Sequence, residues 1–169
     1  MNPPSLKPTI LIVDDVAENL AVLREILKSD YSVLASRDGE TAIEIASGKR
    51  KPDLILLDVM MPGMSGYEVC QRLKSEPGTQ NIPVIFVTAR VEVEDEQQGF
   101  ELGAVDYVTK PINPHILTAR VKTQLLLKRQ ADELREYALG LQDLIEVKSL
   151  ELVKNEVFLT HILDSLSNL

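Results

Sequence analysis

Three acids, a hydroxyl and a lysine stand at the ends of apolar runs in this sequence. Asp14 and Asp15 follow Thr9-Ile10-Leu11-Ile12-Val13, and Asp58 closes Leu54-Ile55-Leu56-Leu57. Thr88 follows Ile82-Pro83-Val84-Ile85-Phe86-Val87, and Lys110 follows Ala104-Val105-Asp106-Tyr107-Val108-Thr109. Asp14, Asp15 and Asp58 offer oxygen ligands to a hard divalent cation with no His or Cys nearby, a donor set that suits Mg²⁺ better than Zn²⁺. Where carboxylates, Mg²⁺, a lysine and a hydroxyl meet, phosphoryl chemistry is the natural reaction class, because its transition state spreads charge over oxygens that such groups stabilise. Asp58 is then the nucleophile.

For this chemistry to occur the five side chains must converge, and the elements around them say how. Leu54 to Leu57 is too short for a helix and does not alternate, so it reads as a strand buried on both faces of a parallel sheet, stopped by Pro62-Gly63. Thr9–Val13 reads the same way. Between the strands, Leu20, Leu23, Ile26 and Leu27 make a helical stripe. Tyr31 to Ala35 is a short strand, and Asp38 caps a helix that Gly48 ends. Ser65 caps a third helix carrying Val69, Cys70 and Leu73, and Pro77-Gly78 marks a loop. Val91 to Leu102 is a helix with acids crowding its first turns. Asn113-Pro114 opens the next one. Five strands alternating with helices make a three-layer parallel α/β domain whose strands share a direction, so all the candidate residues fall on one sheet edge.

Charge and composition narrow the function further. The 169 residues carry a net charge of -8 and a single cysteine, so no internal disulfide forms, and Cys70 reads as packing in a reducing compartment. The acid surplus lies before residue 113, which suits a cation site and excludes a basic nucleic-acid surface. With no apolar run long enough to span a membrane and no signal peptide, a cytoplasmic protein is expected. Residues 1–8 are expected to be disordered. After Asn113 no strand pattern returns. Leu127, Ala131, Leu134, Ala138, Leu141 and Ile145 begin a heptad repeat that runs through Lys148, Leu152, Asn155, Leu159, Ile162 and Leu166 to Leu169. Residues 123–169 are therefore expected to form a coiled-coil helix, pairing in parallel through 127–169. The other reading is a helix folded back on the domain. Gly140 is a candidate for a bend or break, and Lys148 and Asn155 weaken the seam while fixing register. Apolar residues continue at heptad spacing to Leu169, from which a further C-terminal output domain is expected.

The acidic pair Asp14-Asp15, the segment Leu57-Asp58-Val59-Met60-Met61-Pro62-Gly63, Thr88-Ala89 and Tyr107-Val108-Thr109-Lys110-Pro111 together resemble the receiver domain of two-component response regulators, over residues 9–122. The resemblance implies a flavodoxin-like (βα)5 doubly wound parallel sheet of order 2-1-3-4-5. It implies that Asp58 accepts a phosphoryl group from a histidine kinase, a phosphotransfer protein or a small-molecule donor. Asp15, Asp58 and the carbonyl of Met60 would hold Mg²⁺ directly, and Asp14 through water. Thr88 and Ala89 would meet the phosphoryl group, Lys110 would pair with it, and Tyr107 would turn inward when Thr88 moves. Lys110-Pro111 resembles the family's cis peptide. The signal would emerge on the face built from the fourth helix, fifth strand and fifth helix, which leads into the heptad helix. Met60 and Arg90 flank the site at positions that vary in the family.

Other readings are weighed against that one. A Mg²⁺-dependent phosphohydrolase acting on an external phosphoester could use the same acids, whereas a receiver is a phosphoacceptor and not an enzyme toward other substrates. A degenerate receiver acting only as a dimerising scaffold conflicts with the intact set of five site residues. Tyr107 has the alternative of an exposed strand-end aromatic. His115 and His161 read as ordinary helix residues, since Thr160-His161-Ile162-Leu163-Asp164 lacks the surroundings of a kinase phosphohistidine.

Overall fold

The computed structural model describes residues 7–89 and 101–167. Five strands appear, β1 (Thr9–Val13), β2 (Ser32–Ser36), β3 (Leu54–Asp58), β4 (Val84–Thr88) and β5 (Asp106–Thr109), all parallel and in the order β2-β1-β3-β4-β5. The expected doubly wound order is thus observed. β1, β3 and β4 are buried along their whole length, which is why their sequences are unbroken apolar runs with no polar face. On one side of the sheet Leu11, Ile55 and Phe86 pack with Ala42 of α2 (Gly39–Ser47) and Val69 of α3 (Gly66–Ser75). On the other, Ile10, Leu56 and Val87 pack with Leu23 and Leu27 of α1 (Ala17–Leu27) and with Leu117 and Val121 of α4 (Pro114–Ser167).

Helix starts follow the caps in the sequence. Asp38 Oδ1 accepts from the Thr41 amide at 2.8 Å, and Asn113 Oδ1 accepts from His115 N–H at 3.0 Å. Ser65 caps α3 in a full capping box, with Glu68 reaching back to the Ser65 amide at 2.8 Å and satisfying two otherwise orphaned donors.

Several boundaries differ from the sequence expectation. β2 starts one residue late, because the Tyr31 amide closes the end of α1 on Leu27 O at 3.0 Å. β4 starts after Pro83, which has no N–H for the ladder. β5 begins only at Asp106. Residues 7 and 8 were expected to belong to the disordered terminus. Instead the Pro8 carbonyl accepts from Ser32 N–H at 2.9 Å, and Lys7 Nζ donates to Ser29 O. At Gly140 the helix neither breaks nor is interrupted, and a Cβ there would meet nothing within 4 Å. The helix expected from Val91 lies, up to residue 100, outside the described residues, as do Arg90, residues 1–6, Asn168 and Leu169.

The chain divides into two units, Met1–Lys128 and Arg129–Leu169. In the second, the heptad positions Leu134, Ile145, Leu152 and Leu166 are exposed by 62–69% in the single chain. Among the described residues, no helix is long and apolar enough to cross a membrane.

Candidate functional site

At the carboxyl edge of the sheet, β1 delivers Asp14 and Asp15, β3 delivers Asp58, β4 delivers Thr88 and β5 leads into Lys110. Asp14 and Asp58 are 1% and 5% exposed. Carboxylate oxygens of Asp14, Asp15 and Asp58 all lie within 4.8 Å of one another, so the three acids singled out in the sequence do converge.

Three acids at this spacing repel one another, and the Lys110 ammonium offsets part of that. Its Nζ lies 2.8 Å from Asp14 Oδ2 and 2.9 Å from Asp58 Oδ2, bridging the two buried carboxylates. Burial drives the Asp58 carboxyl above the ordinary aspartate range. The Lys110 ammonium draws it back, Asp14 pushes it further up, and the net direction is upward. Burial on its own would lower the Lys110 pKa, but its hydrogen bonds to Asp14 and Asp58 outweigh this and hold it above the usual lysine value. The ammonium therefore stays charged at neutral pH, and ionising Asp58 in this surrounding is costly.

The loop after β3 holds Asp58 from the other side. Met60 N–H donates to Asp58 Oδ1 at 3.2 Å, while the Met60 side chain is 67% exposed. The Gly66 amide then bonds the Val59 carbonyl at 2.9 Å, drawing the start of α3 against the strand end. There is no space for a side chain here, since a Cβ on Gly66 would lie 2.1 Å from the Asp58 backbone oxygen and 2.8 Å from Val59 Cα. Gly66→Ala is expected to destabilise the domain by about 3 kcal/mol, the upper part of the overpacking range. Thermal unfolding checks this, the expected fall in Tm being on the order of 10 °C.

Thr88 is 3% exposed, Ala89 is exposed on the turn that follows, and the Lys110 amide bonds the Thr88 carbonyl at 2.8 Å. Tyr107 is 6% exposed and packs against Phe86 with ring centroids 5.4 Å apart. The alternative of an exposed strand-end aromatic is therefore corrected, because β5 directs this ring onto the β4 core. The Lys110-Pro111 peptide is cis. Cys70 is buried with its thiol pushed up to about 11, burial being the first cause, which leaves it unreactive. His115 and His161 are exposed helix residues.

Two site residues were not singled out in the sequence. Asn19 Nδ2 donates to both oxygens of Asp14 at 3.0 Å, and Arg37 donates to the Asp15 backbone carbonyl from Nη2 at 2.9 Å and Nε at 3.2 Å. A signal for Asn19 existed, an amide five residues after a buried acid in the first turns of the following helix. None existed for Arg37, which is brought there from the end of β2.

The family model for the response regulator receiver domain matches residues 10–122. A Vibrio cholerae protein named "Probable cyclic di-GMP phosphodiesterase" is 51% identical over 124 residues, which is 73% of this chain and 28% of that protein. The response regulator PleD of Caulobacter vibrioides is 46% identical over 128 residues, 75% of this chain and 28% of its own length. The chain thus spans little more than a quarter of either relative. The crystal structure of the Vibrio cholerae chemotaxis protein CheY4 superposes with a TM-score of 0.66 at 28% identity, covering 70% of this chain and 98% of that one.

Proposed function

Because the chain belongs to the response regulator receiver domain family, a family of phosphoacceptors, we propose that Asp58 is its phosphorylation site and that a histidine kinase or phosphotransfer protein supplies the phosphoryl group. The observation that carries this reading is the placement of Asp58, a buried acid at the end of the central strand with the Lys110 ammonium at 2.9 Å and two further carboxylates beside it. In the transfer, a bond forms between an Asp58 carboxylate oxygen and phosphorus as the phosphorus–nitrogen bond to the donor's imidazole breaks, and the imidazole leaves as a neutral base after taking up a proton. Lys110 and the Thr88 hydroxyl meet the new phosphoryl oxygens.

The donor set fits Mg²⁺, since clustered carboxylates with no His or Cys are what a hard cation takes. Asp15, Asp58 and the Met60 carbonyl would hold it, with Asp14 acting through water. Bound there, the cation would neutralise charge on the transferring phosphoryl oxygens. Membership of the family removes the reason for the phosphohydrolase alternative, and we assign the domain no external substrate.

Phosphorylation adds charge and acceptor oxygens that Lys110 and Thr88 meet differently in two loop positions, the requirement for a two-state switch. The inward Tyr107 sits where such a change reaches the face formed by β5 and the first turns of α4. From there residues 127–169, paired with a second copy, pass the state to an output. The 51% identity over 124 residues with the protein named "Probable cyclic di-GMP phosphodiesterase" supports an output of cyclic-dinucleotide class. A cytoplasmic location follows from the phosphoryl donors of such a system.

The test is intact-mass measurement after incubation with acetyl phosphate, with and without Mg²⁺. One added phosphoryl group, dependent on Mg²⁺ and located on Asp58, is the expected result. Labelling elsewhere, or steady turnover of an external ester without labelling, would refute the reading. Sedimentation of the same samples at tens of micromolar checks the dimer, which a monomer would exclude.

A further inference from the structure

The three clustered acids differ in how much of their hydrogen-bonding capacity the protein has already used. An ionised carboxylate has about four lone-pair sites. Asp14 already takes four donations. Oδ1 accepts from Val16 N–H at 2.9 Å and from Asn19 Nδ2 at 3.0 Å, and Oδ2 accepts from Asn19 Nδ2 at 3.0 Å and from Lys110 Nζ at 2.8 Å. Asp58 has used two, one to Met60 N–H and one to Lys110. Asp15 is half-buried, and among the described residues no donor meets its carboxylate.

The orientation of the Asn19 amide is not a free choice. Both groups facing it are oxygens of a carboxylate that donates nothing, so the NH₂ must point at Asp14. Asn19 alone supplies two of the four donations, from the first turns of α1, whose amide at Asn19 is itself fixed on the Val16 carbonyl at 3.1 Å.

The geometry points to Asn19 as a positioning residue that sets the metal preference of the site: its two donations hold Asp14 back from direct coordination, so that this acid meets a cation only through water, and leave Asp15 and Asp58 as the carboxylates open to one. This rests on the Mg²⁺ site proposed above. A site with two open carboxylates suits Mg²⁺, which keeps several waters and binds through few protein ligands. Ca²⁺ takes six to eight oxygens and gains more from a third carboxylate. Asn19 thus works against the larger ion by keeping the third acid occupied.

Calorimetric titration of the full chain with Mg²⁺ and separately with Ca²⁺, for the wild type, Asn19→Ala and Asn19→Ser, tests the assignment. Removing both donations in Asn19→Ala opens Asp14 toward the cluster, and the ratio of Ca²⁺ to Mg²⁺ affinity is expected to rise about tenfold, the lower end of what outer partners of metal ligands contribute. Asn19→Ser, which keeps one donor, should fall between the two and serves if the alanine variant does not fold. A merely structural role would weaken both ions alike. An unchanged ratio in a folded variant overturns the inference while leaving the phosphoacceptor reading intact, whereas a wild type that binds no Mg²⁺ overturns the metal site and the inference together.

Discussion

Asp58→Asn is expected to lose phosphoryl labelling completely and, at neutral pH, to unfold at a higher temperature than the wild type. The amide matches the carboxylate in shape but is a poor nucleophile, so no acyl phosphate forms. The stability gain comes from the cluster. Asp58 is 5% exposed, its carboxyl is driven upward chiefly by burial, and Asp14 repels its ionised form despite Lys110. An acid whose pKa is higher in the folded state binds its proton more tightly there, so folding is penalised once pH rises above the unfolded value near 3.9, and fully so above the folded one. The variant removes that penalty, by about 1 kcal/mol or a few degrees in Tm, and the difference should vanish as pH falls below the aspartate range. Lys110 keeps its bond to Asp14 at 2.8 Å, so no buried charge is left without a partner. Labelling at the wild-type level would sink the assignment, and a variant less stable than wild type at pH 7 would sink the electrostatic account.

Lys110→Ala should do the reverse. Without the ammonium, Asp14 and Asp58 are two buried carboxylates facing each other with no cation between them, and breaking a buried pair by removing one partner costs about 3–5 kcal/mol. The loss should be largest in a chelator and substantially recovered in millimolar Mg²⁺, so the Tm shift produced by Mg²⁺ should exceed that of the wild type. The variant should still bind the cation but fail to convert phosphorylation into change at β5 and α4, since the group that senses added charge is gone. Hydrogen exchange across residues 106–121, before and after acetyl phosphate, separates these outcomes. A wild-type change in exchange would count against Lys110 as the sensor, and a Tm unaffected by the substitution would count against the bridge.

The order of elements and the identity of the converging side chains could be read from the sequence because parallel strands buried on both faces leave unbroken apolar runs. β1, β3 and β4 are such runs, and an acid or hydroxyl at the end of each stands out. β2 and β5, at the edges of the sheet, have mixed burial, and their ends, like the start of β4 at Pro83, were read less well than their existence. What could not be read depends on approach in three dimensions. Gly66 looks like any residue after a helix cap until the Asp58 carbonyl is seen against it. Arg37 reaches the Asp15 carbonyl from the end of β2, an approach that no periodicity encodes. The direction of the Tyr107 ring, onto Phe86, is a rotamer that the sequence does not show.

The Lys110 amide is bonded to the Thr88 carbonyl at 2.8 Å, just beyond the last paired residues of β4 and β5. The two residues proposed to grip the phosphoryl group are therefore tethered to each other through main chain before any ligand arrives. Two independent hinges would have four combined positions, two of them half-switched. Tied together, they would move as a single lever in the proposed switch, so that pulling on the Thr88 side would also load the Lys110 side.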